Sequence, residues 1–127
     1  MKTGFQNLKV EYLNHRQILN MGGPWVGDLL INNSYISDNV IIDNLLYDQI
    51  SQDVFFVKFN DNKAYWLKDV YFTICKIDLQ TNTFVEYAEK FSKVYLHRKI
   101  SDCELEIYKA FHNKNNNVET FNFCSNR

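Results

Sequence analysis

Two runs of alternating side chains, joined by a two-residue turn, constrain this chain's fold more than any other feature. In residues 93–100, Val94, Leu96 and Ile100 alternate with Lys93, Tyr95, His97 and Lys99. In residues 103–111, Cys103, Leu105, Ile107 and Phe111 alternate with Glu104, Glu106 and Tyr108. Period two is the signature of a half-buried strand. Ser101-Asp102 between the runs predicts a hairpin. Arg98 interrupts the inward row. A buried guanidinium would need an acid on the neighbouring strand, and edge protection by an inward charge is the preferred reading.

Further strands follow from the same logic. Residues 70–77 are apolar on both faces, as a strand covered on both sides requires. Residues 8–13, 25–31, 54–59, 83–87 and 118–123 complete the set. Residues 34–50 alternate poorly, and residues 40–42 and 45–46 predict short strands or one irregular helical turn. Residues 87–93 could hold another such turn. Twenty aromatic residues and only three Ala favour pleated surfaces over helices. Sixteen Asn suit turns, although AT-biased coding would enrich Asn as well. The expected fold is therefore all-β with little helix. It is a single antiparallel meander over residues 1–127, curled into a sandwich or partly open barrel.

The net charge of −1 hides a segregation. Residues 17–57 contain no Lys or Arg, and they hold Asp28, Asp38, Asp43, Asp48 and Asp53. An acidic stretch in a balanced protein steers association with a cationic partner. Turn formation is the competing explanation for each Asp, as in Ser37-Asp38-Asn39 and Asp43-Asn44.

Enzyme chemistry finds no foothold. His15, His97 and His112 are far apart, no Cys-x-x-Cys occurs, and no metal or other cofactor is expected. Gly22-Gly23 precedes Pro24 and Trp25, without the Lys-Ser or Lys-Thr of a phosphate loop. Acids alone do not make a glycosidase. Cys75, Cys103 and Cys124 leave an odd thiol. With no apolar leader after Lys2, free thiols in a reducing cytoplasm are expected. The longest aliphatic and aromatic run, residues 54–57, falls far short of the roughly 20 residues of a membrane helix, so no membrane partner is expected. Lys63, Tyr65, Trp66 and Lys68 form the best nucleic-acid candidate, but alternation sends a ring inward, and no direct nucleic-acid partner is expected.

The segment Met21-Gly-Gly-Pro-Trp-Val-Gly-Asp28, running into Leu29-Leu-Ile31, resembles the start of small bacterial immunity proteins. These belong to toxin systems, including contact-dependent inhibition and related polymorphic toxins. The resemblance implies a non-enzymatic protein that binds one cognate toxin domain, a basic nuclease, and blocks it. Asp28, Asp38, Asp43, Asp48 and Asp53 would face that partner, with Trp25, Tyr35 and Tyr47 as anchors. The alternative is a small-ligand module with an aromatic-lined cavity inside a β-barrel.

Overall fold

The computed structural model describes residues 8–18, 24–62, 69–110 and 118–125. Nine strands follow in order: β1 (Val10–Gln17), β2 (Trp25–Ile31), β3 (Ser34–Asp48), β4 (Asp53–Asn62), β5 (Asp69–Asp78), β6 (Thr83–Glu86), β7 (Tyr95–Ser101), β8 (Glu104–Tyr108) and β9 (Val118–Asn122). There is no helix among the described residues, so the all-β expectation holds. Residues 34–48 are one continuous strand rather than short pieces or a helical turn.

The single curled meander needs correction. The strands form two separate antiparallel sheets, β1-β2-β3-β4-β5-β6 and β7-β8-β9. Neither sheet closes, since the outer strands of each have no ladder to one another, and no barrel forms. Nor are the sheets two halves of one curled sheet closed as a sandwich. The smaller one covers one face of the larger, and the larger sheet's own residues pack over its other face. The break lies after β6. Ala88, Glu89 and Lys90 are exposed there, and only Phe91 returns, exchanging both backbone hydrogen bonds with Phe72 (2.7 and 2.9 Å). Beyond β6 the pairing with β5 is reduced to the Tyr87 N–H bond to the Ile74 carbonyl and this Phe91 bridge, while Tyr87, Phe91 and Val94 are buried.

Both faces of the larger sheet are buried at its β4–β5 centre. On one, Phe55, Val57 and Phe59 of β4 and Phe72 and Ile74 of β5 meet Leu96, Leu105, Ile107 and Phe121 of the smaller sheet. Phe55 and Phe123 meet edge-on at 5.0 Å, and Tyr87 and Phe121 at 5.6 Å. On the other face, Val54, Phe56, Cys75 and Ile77 pack with Leu29, Ile31 and Val40. Each such side chain contributes roughly 1.5–3 kcal/mol of transfer free energy, so β4 and β5 anchor both cores. The buried aromatic residues among those described fill these cores and do not line a barrel interior.

Left-handed backbone accounts for five of the sixteen Asn. Of the seven non-glycine residues with positive φ among those described, five are Asn: Asn14, Asn32, Asn33, Asn39 and Asn82. Asn32-Asn33, both left-handed, close the two-residue β2–β3 hairpin, as a type I′ turn demands. Asn14 sits where β1 shifts register against β2. That shift brings the Leu13 carbonyl so near Gly27 that an added Cβ would lie 2.9 Å from it, and only glycine fits.

The β7–β8 hairpin forms one residue later than expected. Its turn is Asp102-Cys103, with Ser101 opposite Glu104. β7 also shifts register between Leu96 and Arg98. The shift sends Arg98 outward to Glu106 (Nε–Oε1 2.6 Å), turns Lys99 inward and exposes Ile100. Arg98 thus has its acid and also stays in water.

The expectation of three free thiols is overturned as well. Cys103, at the β7–β8 turn, is disulfide-bonded to Cys124, just after β9. Cys75 alone among the cysteines is free; it is buried, and burial pushes its thiol up to about 12, with Glu86 adding to the rise.

Candidate functional site

The two sheets meet along β3 and β7, and Asn44 bridges them with a pair of hydrogen bonds. Asn44 Nδ2 donates to the Leu96 carbonyl and its Oδ1 accepts from the Leu96 N–H, both at 3.0 Å. The amide therefore stands in for a peptide group, and a buried polar residue is satisfied. Its inward direction follows from Asp43, whose φ of 63° falls in the register shift of β3 against β4. Four residues further along β3, Asp48 pairs with Lys99, with side-chain exposures of 20% and 18%.

A groove lies on each side of the Asn44 bridge. The larger, about 670 Å³, is lined by Leu45, Leu46, Tyr47, Asp48, Gln49, Ile50, Phe55, Arg98 and Lys99. Its volume is that of a small-molecule site. Its floor is aliphatic and aromatic; its cations come from β7, and Asp48 and Gln49 come from the end of β3 and the loop after it. Two cations, Arg98 and Lys99, face one carboxylate, Asp48. The Lys99 ammonium holds the Asp48 carboxyl below the usual carboxylate range, and the backbone N–H groups of Ile50 and Ser51 assist. Ile50, at the β3–β4 hairpin, is 93% exposed, an aliphatic side chain with no core to serve.

The smaller groove, about 410 Å³, is lined by His15, Pro24, Trp25, Ile41, Ile42, Asp43, Asn44, Val94 and Tyr95. Trp25 is 52% exposed. His15 Nε2–H donates to the Tyr12 carbonyl at 2.7 Å. Tyr12 in turn accepts the Asp43 backbone N–H at its hydroxyl (3.3 Å), and burial pushes its phenol up to about 12.

The eight residues expected to bind a partner fall into several places. Trp25 and Asp43 share the smaller groove, and Tyr47 and Asp48 share the larger. Asp28 and Asp38 stand near Tyr35, whose hydroxyl is pushed up by partial desolvation and then by these two carboxylates. Asp28 accepts from Asn14 (2.7 Å), and Asp38 pairs with Lys58 (3.4 Å). Asp53 is only 9% exposed and lies opposite Asp48 on one side and Asp78 on the other. Asp48 and Asp78 each accept two backbone N–H groups in the loop that follows, so turn formation explains part of the acidity.

Sequence reasoning missed Asn44, Lys99, His15 and Tyr95 as site residues. Arg98 carried a signal, as the break in an alternating row. Lys63, Tyr65, Trp66 and Lys68 lie outside the described residues, as do Gly22, Gly23 and His112. Among the described residues, no group of His, Cys, Asp and Glu is placed to hold a metal ion. No helix among them is long and apolar enough to cross a membrane. No protein-family model, curated protein or solved structure matches the chain.

Proposed function

We propose that this protein is a binding module for a small amphipathic anion, held in the larger groove on the β3–β7 seam. One observation carries the proposal: a groove of about 670 Å³ with an apolar floor and two cations at one side. The ligand's apolar body would lie on Leu45, Leu46, Tyr47 and Phe55. Its carboxylate, sulfate or phosphate would meet Arg98, with Lys99 adding a charge that it shares with Asp48. Arg98 bonds Glu106 through Nε, and its side chain is 64% exposed, so its terminal guanidinium N–H groups would serve the ligand.

Calorimetric titration with decanoate tests the reading. The wild type should bind one molecule saturably. The double variant Ile50→Asp with Arg98→Gln, both at exposed positions, should bind at least fivefold more weakly. Decylamine, with the opposite charge, should bind more weakly than decanoate. Absent binding, or affinity unchanged in the double variant, would contradict the proposal.

A second reading keeps the toxin-neutralising role. What supports it is Tyr35, 61% exposed with Asp28 and Asp38 beside it, an aromatic anchor in an acidic setting. Under this reading a toxin-like domain encoded next to this chain binds with a salt-sensitive on-rate. Asp28→Lys with Asp38→Lys should weaken that binding, and unchanged binding would count against it. The Cys103–Cys124 bond supports an oxidising working environment rather than the reducing cytoplasm.

A further inference from the structure

The smaller groove has a chemistry of its own. It combines an exposed indole, a phenol ring and a carboxylate, from Trp25, Tyr95 and Asp43. The Asp43 carboxylate has no ion pair among the described residues, whereas Asp38 and Asp48 each have one. Asp43 also lies in the stretch of 41 residues, 17–57, that contains no Lys or Arg. The nearest strand cation on β1, Arg16, is turned onto Asn39 (2.8 Å) and the Phe59 ring.

Aromatic faces attract cations through the ring quadrupole, more strongly as the cation is desolvated. A carboxylate at the same site adds a charge-assisted hydrogen bond. An anion would be repelled by Asp43, and a purely apolar group would leave that carboxylate without a partner. We infer that this groove takes the cationic side chain, arginine or lysine, of a protein partner, with Trp25 and Tyr95 against its stem and Asp43 at its charged end. A free amino acid fits less well. Its α-carboxylate would need a donor, and His15 Nε2 is already spent on the Tyr12 carbonyl. The inference is independent of the groove beyond Asn44, and either can fail without the other.

The test is an NMR titration of the whole chain, read at the Trp25 indole N–H, which is assigned by its loss in Trp25→Phe. N-acetyl-arginine amide should shift that signal saturably. N-acetyl-citrulline amide, of the same shape without the charge, should bind at least tenfold more weakly. Asp43→Asn should abolish the shift. Asn tolerates the left-handed backbone at position 43, so this variant retains the strand geometry. Should its spectrum nevertheless show an unfolded chain, the arginine–citrulline comparison decides alone. No shift with the arginine compound, equal shifts with both compounds, or an undiminished shift in folded Asp43→Asn would each overturn the inference. Free arginine binding as tightly as the blocked compound would overturn the assignment to a protein partner.

Discussion

Asp48 ends β3, accepts the backbone N–H groups of Ile50 and Ser51, and holds Lys99 at the mouth of the larger groove. The first duty is visible in sequence, since Asp before a loop predicts a turn. The second is not, because Lys99 is 51 residues away and turns inward only through the irregular pairing of β7. The pair has a pH signature. The Asp48 carboxyl is lower in the folded state than in the unfolded chain, so protonation favours unfolding. Its contribution is complete above the ordinary carboxylate value near 4 and is lost as pH falls through the lower folded value. Asp48→Asn should therefore cost on the order of 1 kcal/mol at neutral pH. The difference from wild type should shrink as denaturation is repeated at pH 4, 3 and 2. A difference that stayed constant with pH would show that Asp48 acts only through its turn.

At the scale of elements, sequence was informative where an apolar run was bounded by turn residues. β2 has the expected bounds, and β4 and β5 bury both faces. It failed where the backbone turns left-handed inside a strand. Asn39 and Asp43 break the alternation of β3 without ending it, so a 15-residue strand resembled fragments. The same irregularity aims Asn44 at β7, an outcome no single-strand pattern encodes. Asn44→Ala should strand the buried N–H and carbonyl of Leu96 and cost about 2–4 kcal/mol in chemical denaturation. A loss under about 0.5 kcal/mol would mean that water replaces the bridge. The Cys103–Cys124 bond closes a loop with a sequence separation of 21. Removing it by the double Ser substitution should cost about 3 kcal/mol in the chain-entropy account. Thiol titration of the unfolded, unreduced wild type should find one reactive group, Cys75, rather than three.

The whole molecule departs furthest from what the sequence conveyed. Local pattern supplied the strands, but not the division into two sheets. That division depends on Tyr87, Phe91 and Val94 packing inward while the residues between them leave the ladder beyond β6. The charge map was legible as a segregation along the chain, and the fold redistributes it. Asp28 and Asp38 gather near Tyr35, Asp43 enters one groove, Asp48 the other, and Asp53 is buried. The seam between the sheets brings both grooves together around Asn44, and that seam is where binding is proposed. Amide NMR of the whole chain during titration with decanoate measures this directly. The proposal predicts saturable shifts confined to residues 45–50, Phe55, Arg98 and Lys99. Shifts that never saturate, or that gather at His15, Trp25 and Tyr95 instead, would contradict it.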